Sequence, residues 1–175
     1  MRYPRRETPA YEIQVEGRPR KKGGTYREAV RRAAAARIRE RPITTNDVEV
    51  EIIYSTTAKE PPDVDNAAKP TLDALKGHAY VDDAQVRSVT VTRFDPRGAL
   101  AGGKLRVSGR VEHIGRLFVE TLPRKGQAPK DATLIWVFSD SRLQELGGEE
   151  AVRDQRREEW FREEAALTKR TTRET

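Results

Sequence analysis

At 175 residues, with hydrophobic and charged residues each making up 35%, the chain is long enough for one domain, or a small domain with an appendage, around a buried core. It contains no cysteine, which excludes disulfides, thiolate catalysis and the common structural zinc sites, so any metal must be held by oxygen or histidine. The net charge of +6 is uneven: residues 1–41 hold thirteen Lys or Arg against five Glu, or +8, leaving −2 for the rest, a balance suited to gripping a polyanion while presenting carboxylates to it.

No apolar run approaches the roughly 20 residues needed to cross a bilayer, and MRYPRRETPA lacks an apolar stretch suited to export, so a cytosolic protein without a membrane partner is expected. YEIQVEG alternates Tyr11, Ile13 and Val15 with Glu12, Gln14 and Glu16, the period of a strand with one wet face. GRPRKKGGT reads as a loop or arm. From Tyr26 to Arg39, an apolar stripe of Tyr26, Val30, Ala33, Ala34 and Ile38 opposes Arg27, Arg31 and Arg39, predicting an amphipathic helix with a cationic back.

Pro42 stops that helix, and DVEVEIIY places Val48, Val50, Ile52 and Tyr54 on one face of a second strand. After the loop STTAKEPP, the spacing of Ala68, Leu72 and Leu75 predicts a second helix, with Gly77 as its stop signal and Pro70 either near the first turn or bending the helix. A third strand is expected over about residues 85–94. DPRGALAGG then reads as a boundary, dividing the chain into a domain of residues 1–98 and an extension of residues 99–175. In the extension KLRVSGRV, RLFVETL and TLIWVFS suit strands, and EEAVRDQRREEWFREEAALTKR suits a long charged helix with Trp160 and Phe161 available for docking. The fold class is therefore mixed α/β, of the α+β kind: a β-α-β-α-β core followed by a C-terminal β/α extension, with sheet direction open.

The segment PPDVDNAAKPTLDALKGHAYVDDAQV carries Asp63, Asp65, Asp73, Asp82 and Asp83. Taken singly, Asp63 and Asp65 suit a helix cap and the positive helix N-terminus, and Asp82 and Asp83 suit a turn before a strand. That both pairs flank one helix invites a second reading, convergence on a cation. A helix from Asn66 to Lys76 carries the chain about 16 Å from Asp65, and the path from Lys76 to Asp83 reaches about 23 Å, so Asp82 or Asp83 can reach the level of Asp63 and Asp65 if GHAYV doubles back along the helix. A calcium loop of the EF-hand kind fails, because its later positions fall on Ala67, Ala68 and Ala74. Magnesium suits carboxylate oxygens better, and Lys69, one turn after Asp65, is placed to meet a phosphate or leaving oxygen. His78 and His113 belong to no motif.

Asp63, Asp65, Asn66, Lys69, Asp73, Ala74, Leu75, Asp82, Asp83, Gln85 and Val86 together resemble the signature of RusA-type Holliday junction resolvases: D-x-D-N-x-x-K, a D-A-L helix, then D-D-x-Q-V. GRPRKK and the flanking strands extend the likeness over about residues 10–95. The resemblance implies a RusA-like mixed sheet and a homodimeric, Mg²⁺-dependent endonuclease, in which Mn²⁺ can substitute, that resolves four-way DNA by paired cuts in recombination and repair. It further implies a bacterial or phage-encoded protein with no small-molecule cofactor. Carried over residue by residue, the catalytic set is Asp63, Asp65, Lys69 and Asp83; the metal set is Asp63, Asp65 and Asp83 with Asp82 in support. Arg20, Lys21, Lys22, Arg27 and Arg31 are candidates for the DNA backbone. Two alternatives use the same residues differently: a DNA-binding accessory that does not cut, and a metal nuclease for flaps or other DNA structures.

Overall fold

A computed structural model describes residues 8–19, 24–39, 42–43, 47–56, 63–94 and 131–171, apart from the side chains of Asp65, Phe94, Glu159, Trp160 and residues 163–171. The described residues fall into two compact units, one of residues 11–137 and one of residues 8–10 with 138–171. The larger is built on β1 (Tyr11–Glu16), α1 (Gly24–Arg37), β2 (Val48–Ser55), α2 (Val64–Leu75), a single 3₁₀ turn at Asp83–Gln85, β3 (Val86–Phe94) and β4 (Ala132–Phe138). This is the mixed α/β architecture that the periodicities predict.

The four strands form one mixed sheet in the order β1-β4-β2-β3. β1 and β4 are antiparallel, Tyr11 opposite Val137 and Glu16 opposite Ala132, whereas β2 and β3 are parallel. The strand in TLIWVFS, expected in the extension, is thus an interior strand, and the sheet draws strands from both sides of residue 98. Its burial explains its composition. Leu134 through Phe138 are all buried, so side chains on both faces of the strand are covered, and it reads as a continuous apolar run and not as an alternation. Fully burying side chains such as Ile52, Ile53, Leu134 and Ile135 contributes about 1.5–3 kcal/mol apiece. KLRVSGRV, RLFVETL and His113 lie outside the described residues.

One packing detail departs from the alternation. Glu12, expected on a wet face, is buried because its cross-strand neighbour is Trp136, whose indole N–H donates to Glu12 Oε2 at 3.0 Å. On α1 the buried residues are Tyr26, Val30 and Ala34, with Ile38 just beyond, while Arg27, Arg31 and Arg39 are exposed as the cationic back requires.

In the smaller unit, α3 (Asp140–Glu145) is capped by Ser139, whose hydroxyl accepts from the Arg142 N–H at 3.4 Å. Gly147 and Gly148, both at positive φ, turn the chain into α4 (Gly148–Thr171). Arg153 Nε donates to Thr8 Oγ1 at 2.9 Å and Arg156 donates to the Pro9 carbonyl, tying residues 8–10 to the helix. Along α4 the pairs Arg153–Glu149 and Arg162–Glu158 run acid before base at i,i+4, the favourable sense. Phe161 is more than half exposed. No described helix is long and apolar enough to cross a membrane.

Candidate active site

α2 carries most of the acidic signature. Its buried stripe is Ala67, Thr71, Ala74 and Leu75, displaced by about one residue from the expected Ala68, Leu72 and Leu75. The displacement follows from the polar partner of Thr71. Its hydroxyl donates to the Ala67 carbonyl at 3.1 Å and lies 3.0 Å from the Tyr26 hydroxyl of α1, so Tyr26 is left to donate to it. Burial pushes the Tyr26 phenol up to about 12, against the opposing hydrogen bonds. Pro70, the seventh residue of α2, lies beyond the first turn, where it lacks the N–H that would reach the Asn66 carbonyl.

The two ends of α2 treat their carboxylates differently. At the start, Asp63 holds the cap position with extended backbone, and its carbonyl accepts the first helical bond from Ala67 N–H at 3.1 Å. Its side chain makes no capping bond and is exposed. The capping role suggested by the sequence therefore does not occupy that carboxylate. Asp65 is the second helical residue, and Lys69 lies exposed one turn later.

At the end, Gly77 takes a φ of +84°, which a glycine adopts without a Cβ clash, and its N–H donates to the Tyr80 carbonyl at 2.7 Å. The Tyr80 hydroxyl donates at 2.9 Å to the Leu72 carbonyl, which also accepts from the Lys76 N–H at 3.1 Å, fastening the turn to the last turn of the helix. Burial raises the Tyr80 phenol well above its ordinary range, and the charges of Asp83 and Asp73 add to the effect. GHAYV is thus a tight local turn that does not double back along α2.

Beyond this turn the acids are engaged. Asp82 accepts from Ala84 N–H at 2.8 Å, and the Gln85 side chain accepts from Asp82 N–H at 2.9 Å, a reciprocal capping box on the 3₁₀ turn. Gln85 also accepts from Val81 N–H and donates to the Ile43 carbonyl, each at 2.9 Å, pinning the turn to the segment before β2. Asp83 pairs with Lys76 Nζ at 3.1 Å. That hydrogen bond, helped by the Asp83, Asp82 and Asp73 charges, holds the exposed Lys76 ammonium above its usual range.

The parallel pairing of β2 and β3 determines how far apart these groups stand. A helix joining two parallel strands returns along the sheet, so α2 starts level with the end of β2 and finishes level with the start of β3. The charge of Asp63 accordingly acts on Tyr54, near the end of β2, whose phenol is raised chiefly by burial while Arg93 and Arg18 oppose. Val48, at the other end, is level with Val86. Thirteen residues from Asp63 to Lys76 at about 1.5 Å each separate the two acidic pairs by roughly 20 Å. Among the described residues, no group of three or more Asp, Glu or His side chains comes together as a metal site. Of the described members of that set, Asp63 thus stands at the start of α2 and Asp83 beyond its end, beside Lys76.

Of the candidates for DNA contact, Arg27 and Arg31 are exposed on α1. Arg27 lies 3.9 Å from Asp73 and Arg31 lies 2.7 Å from Glu28. Arg20, Lys21 and Lys22 lie outside the described residues. Two further cations stand at the Asp63 end: Arg93 on β3, and Arg18, which pairs with Asp131 at 3.2 Å and donates to Thr56 Oγ1 at 2.7 Å. Arg93 belongs to no motif, and Arg18, within GRPRKK, is not among the candidates read from sequence; the fold brings both near Tyr54. His78 is half-buried in the turn.

Among curated proteins none matches the chain significantly. The family described as endodeoxyribonuclease RusA matches residues 6–107, more than half of the chain and somewhat more than the residues that carry the visible likeness. The chain belongs to the RusA family of endodeoxyribonucleases, whose activity is the cutting of DNA.

Proposed function

We propose that the protein is a divalent-metal-dependent resolvase of four-way DNA junctions, and that each active site is shared between two copies of the chain. One copy contributes Asp63, Asp65 and Lys69; the other contributes Asp83, with Asp82 holding the turn that carries it. The observation behind this reading is the separation of about 20 Å between two acidic pairs at opposite ends of one helix, with the Asp63 carboxylate taking no part in capping. A two-fold axis passing near the middle of α2 would bring unlike ends together, and a junction with near two-fold symmetry is cut in pairs most simply by such a dimer.

Carboxylates without thiolates suit a hard cation, magnesium with manganese as substitute. When bound, such a cation supplies charge neutralisation at the phosphate and a water of lowered pKa. The chain's own groups orient and steady the substrate. Lys69 stands where its ammonium meets charge developing on the phosphate, and Arg20, Lys21, Lys22, Arg27 and Arg31 grip the backbone with a salt-sensitive affinity. The Arg27 and Arg31 ion pairs are exposed and weak, so phosphates can replace the acids. Recombination and repair are the processes such an activity serves.

The separation of Asp63 from Asp83 within one copy equally favours a protein that binds branched DNA without cutting it. Incubating labelled junction, flap and linear duplex with Mg²⁺ or with EDTA decides between the readings. Paired, Mg²⁺-dependent nicks in the junction that Asp65→Asn abolishes support the resolvase. Binding without cleavage supports the accessory reading, and preferential flap cleavage supports the third.

A further inference from the structure

Two arginines stand where the sheet ends beside the start of α2, and their partners differ in kind. Arg18 follows β1. Its guanidinium lies 3.2 Å from Asp131, just before β4, and donates to Thr56 Oγ1, just after β2, at 2.7 Å. The head is mostly covered and its charge is met by a carboxylate, so Arg18 is a brace between three strand ends.

Arg93 is arranged otherwise. The parallel register sets it directly beside Tyr54, so the two side chains share one face of the sheet. Tyr54 is fully buried, Arg93 is exposed, and the guanidinium donates a hydrogen bond to the Tyr54 hydroxyl. A neutral phenol orients a guanidinium without cancelling its charge, and burial, which raises this phenol above its ordinary range, keeps it neutral. The charge of Asp63 acts on the same hydroxyl. A cation aimed by a neutral partner thus stands beside the carboxylate that takes no part in capping α2.

We infer that Arg93 is a phosphate-binding residue of the cutting site, held by Tyr54 so that its fork receives a DNA phosphate next to the scissile one. This inference rests on the reading above, in which DNA is cut at the Asp63 end of α2, and adds a contact to it. Carboxylates gathered for a cation repel the polyanion that must approach them. A fixed guanidinium offsets that repulsion and matches two phosphate oxygens with parallel N–H donors. Tyr54 offers Arg93 a single oxygen and so occupies only part of a five-donor fork. Lys69 meets charge that develops during the reaction, whereas Arg93 holds the strand before it.

The test reads binding apart from cutting. In EDTA, gel-shift titrations of labelled junction at rising KCl are expected to give Arg93→Gln a salt slope smaller than the wild type's by about 0.9 for each bound copy, the value of one phosphate contact. Arg93→Lys keeps the slope, as does Arg162→Gln, which removes the same charge from α4, where Arg162 pairs with Glu158. Tyr54→Phe, matched to the wild type by circular dichroism, keeps the slope but binds several-fold more weakly, because the charge remains and its aim is lost. Neutral methylphosphonates placed singly beside the cut locate the contact: at one position the wild type loses about tenfold in affinity and Arg93→Gln loses nothing further. An unchanged slope in Arg93→Gln, an equal fall in Arg162→Gln, or a methylphosphonate loss that persists in Arg93→Gln overturns the assignment. If the wild type binds the junction but cuts nothing with Mg²⁺, the resolvase reading fails, and the binding data still decide the Arg93 contact.

Discussion

The start and the end of α2 hold the same type of side chain in opposite conditions. At the start Asp63 occupies a cap position without capping; at the end Asp82 closes a reciprocal capping box and Asp83 is held by Lys76. Acidic residues that flank a helix are ordinarily accounted for by the helix itself. Here that account suffices for Asp82 and fails for Asp63. The difference teaches that the two acidic pairs are not equivalent halves of one cluster: one offers a carboxylate, and the other is a built turn that positions one.

The largest effect that can break this contrast is on cleavage. Asp63→Asn leaves thermal stability unchanged, since no bond of the helix depends on that side chain, and lowers junction cleavage by at least about a hundredfold, the scale of losing one group that stabilises a transition state. A loss of stability on that substitution would return Asp63 to the capping role.

Next comes the bond that holds the middle of α2. The Tyr26 phenol is raised to about 12 in the folded chain and titrates near 10 when unfolded, so the unfolded state loses its proton first. Stability is therefore intact below pH 10 and falls as pH rises towards 12, by about 2–3 kcal/mol in all. Tyr26→Phe removes this share of the alkaline loss, leaving that of Tyr80, and costs about 1 kcal/mol at neutral pH for the lost hydrogen bond. Urea titrations of both forms across that range measure it.

Smaller effects sharpen the contrast at the far end. Asp82→Ala destabilises by about 1 kcal/mol through loss of a cap, where Asp63→Ala costs almost nothing. Lys76→Met leaves stability almost unchanged because its ion pair is exposed, but it frees Asp83 and lowers cleavage several-fold with little change in junction affinity. Denaturant midpoints and gel-shift titrations separate the two effects.

The elements around the site were legible in local periodicity. The stripe of α1, the stop at Gly77 and the alternation of β2 each rest on interactions within a few residues. What the sequence left open was set at long range. LIWVF announces a strand buried on both faces, yet its place between β1 and β2 depends on pairing with Tyr11–Glu16, more than a hundred residues away. Glu12 reads as solvent-facing until Trp136 is laid across from it. The convergence that the spacing of Asp63 and Asp83 allows is prevented within one copy by the short turn at Gly77–Tyr80 and by the parallel register of β2 with β3. Gln85, part of the motif but without a role evident from sequence, organises that turn through three side-chain hydrogen bonds, accepting from the Val81 and Asp82 N–H groups and donating to the Ile43 carbonyl.

Subunit mixing tests the shared site most directly. Asp63→Asn and Asp83→Asn, each inactive alone, are unfolded, combined in equal amounts and refolded. If each site takes Asp63 from one copy and Asp83 from the other, half of the dimers are mixed and each mixed dimer keeps one intact site, so nicking returns to about a quarter of the wild-type level. A mixture as inactive as either variant, under conditions where refolded wild type cleaves, would mean that every site draws both carboxylates from the same chain.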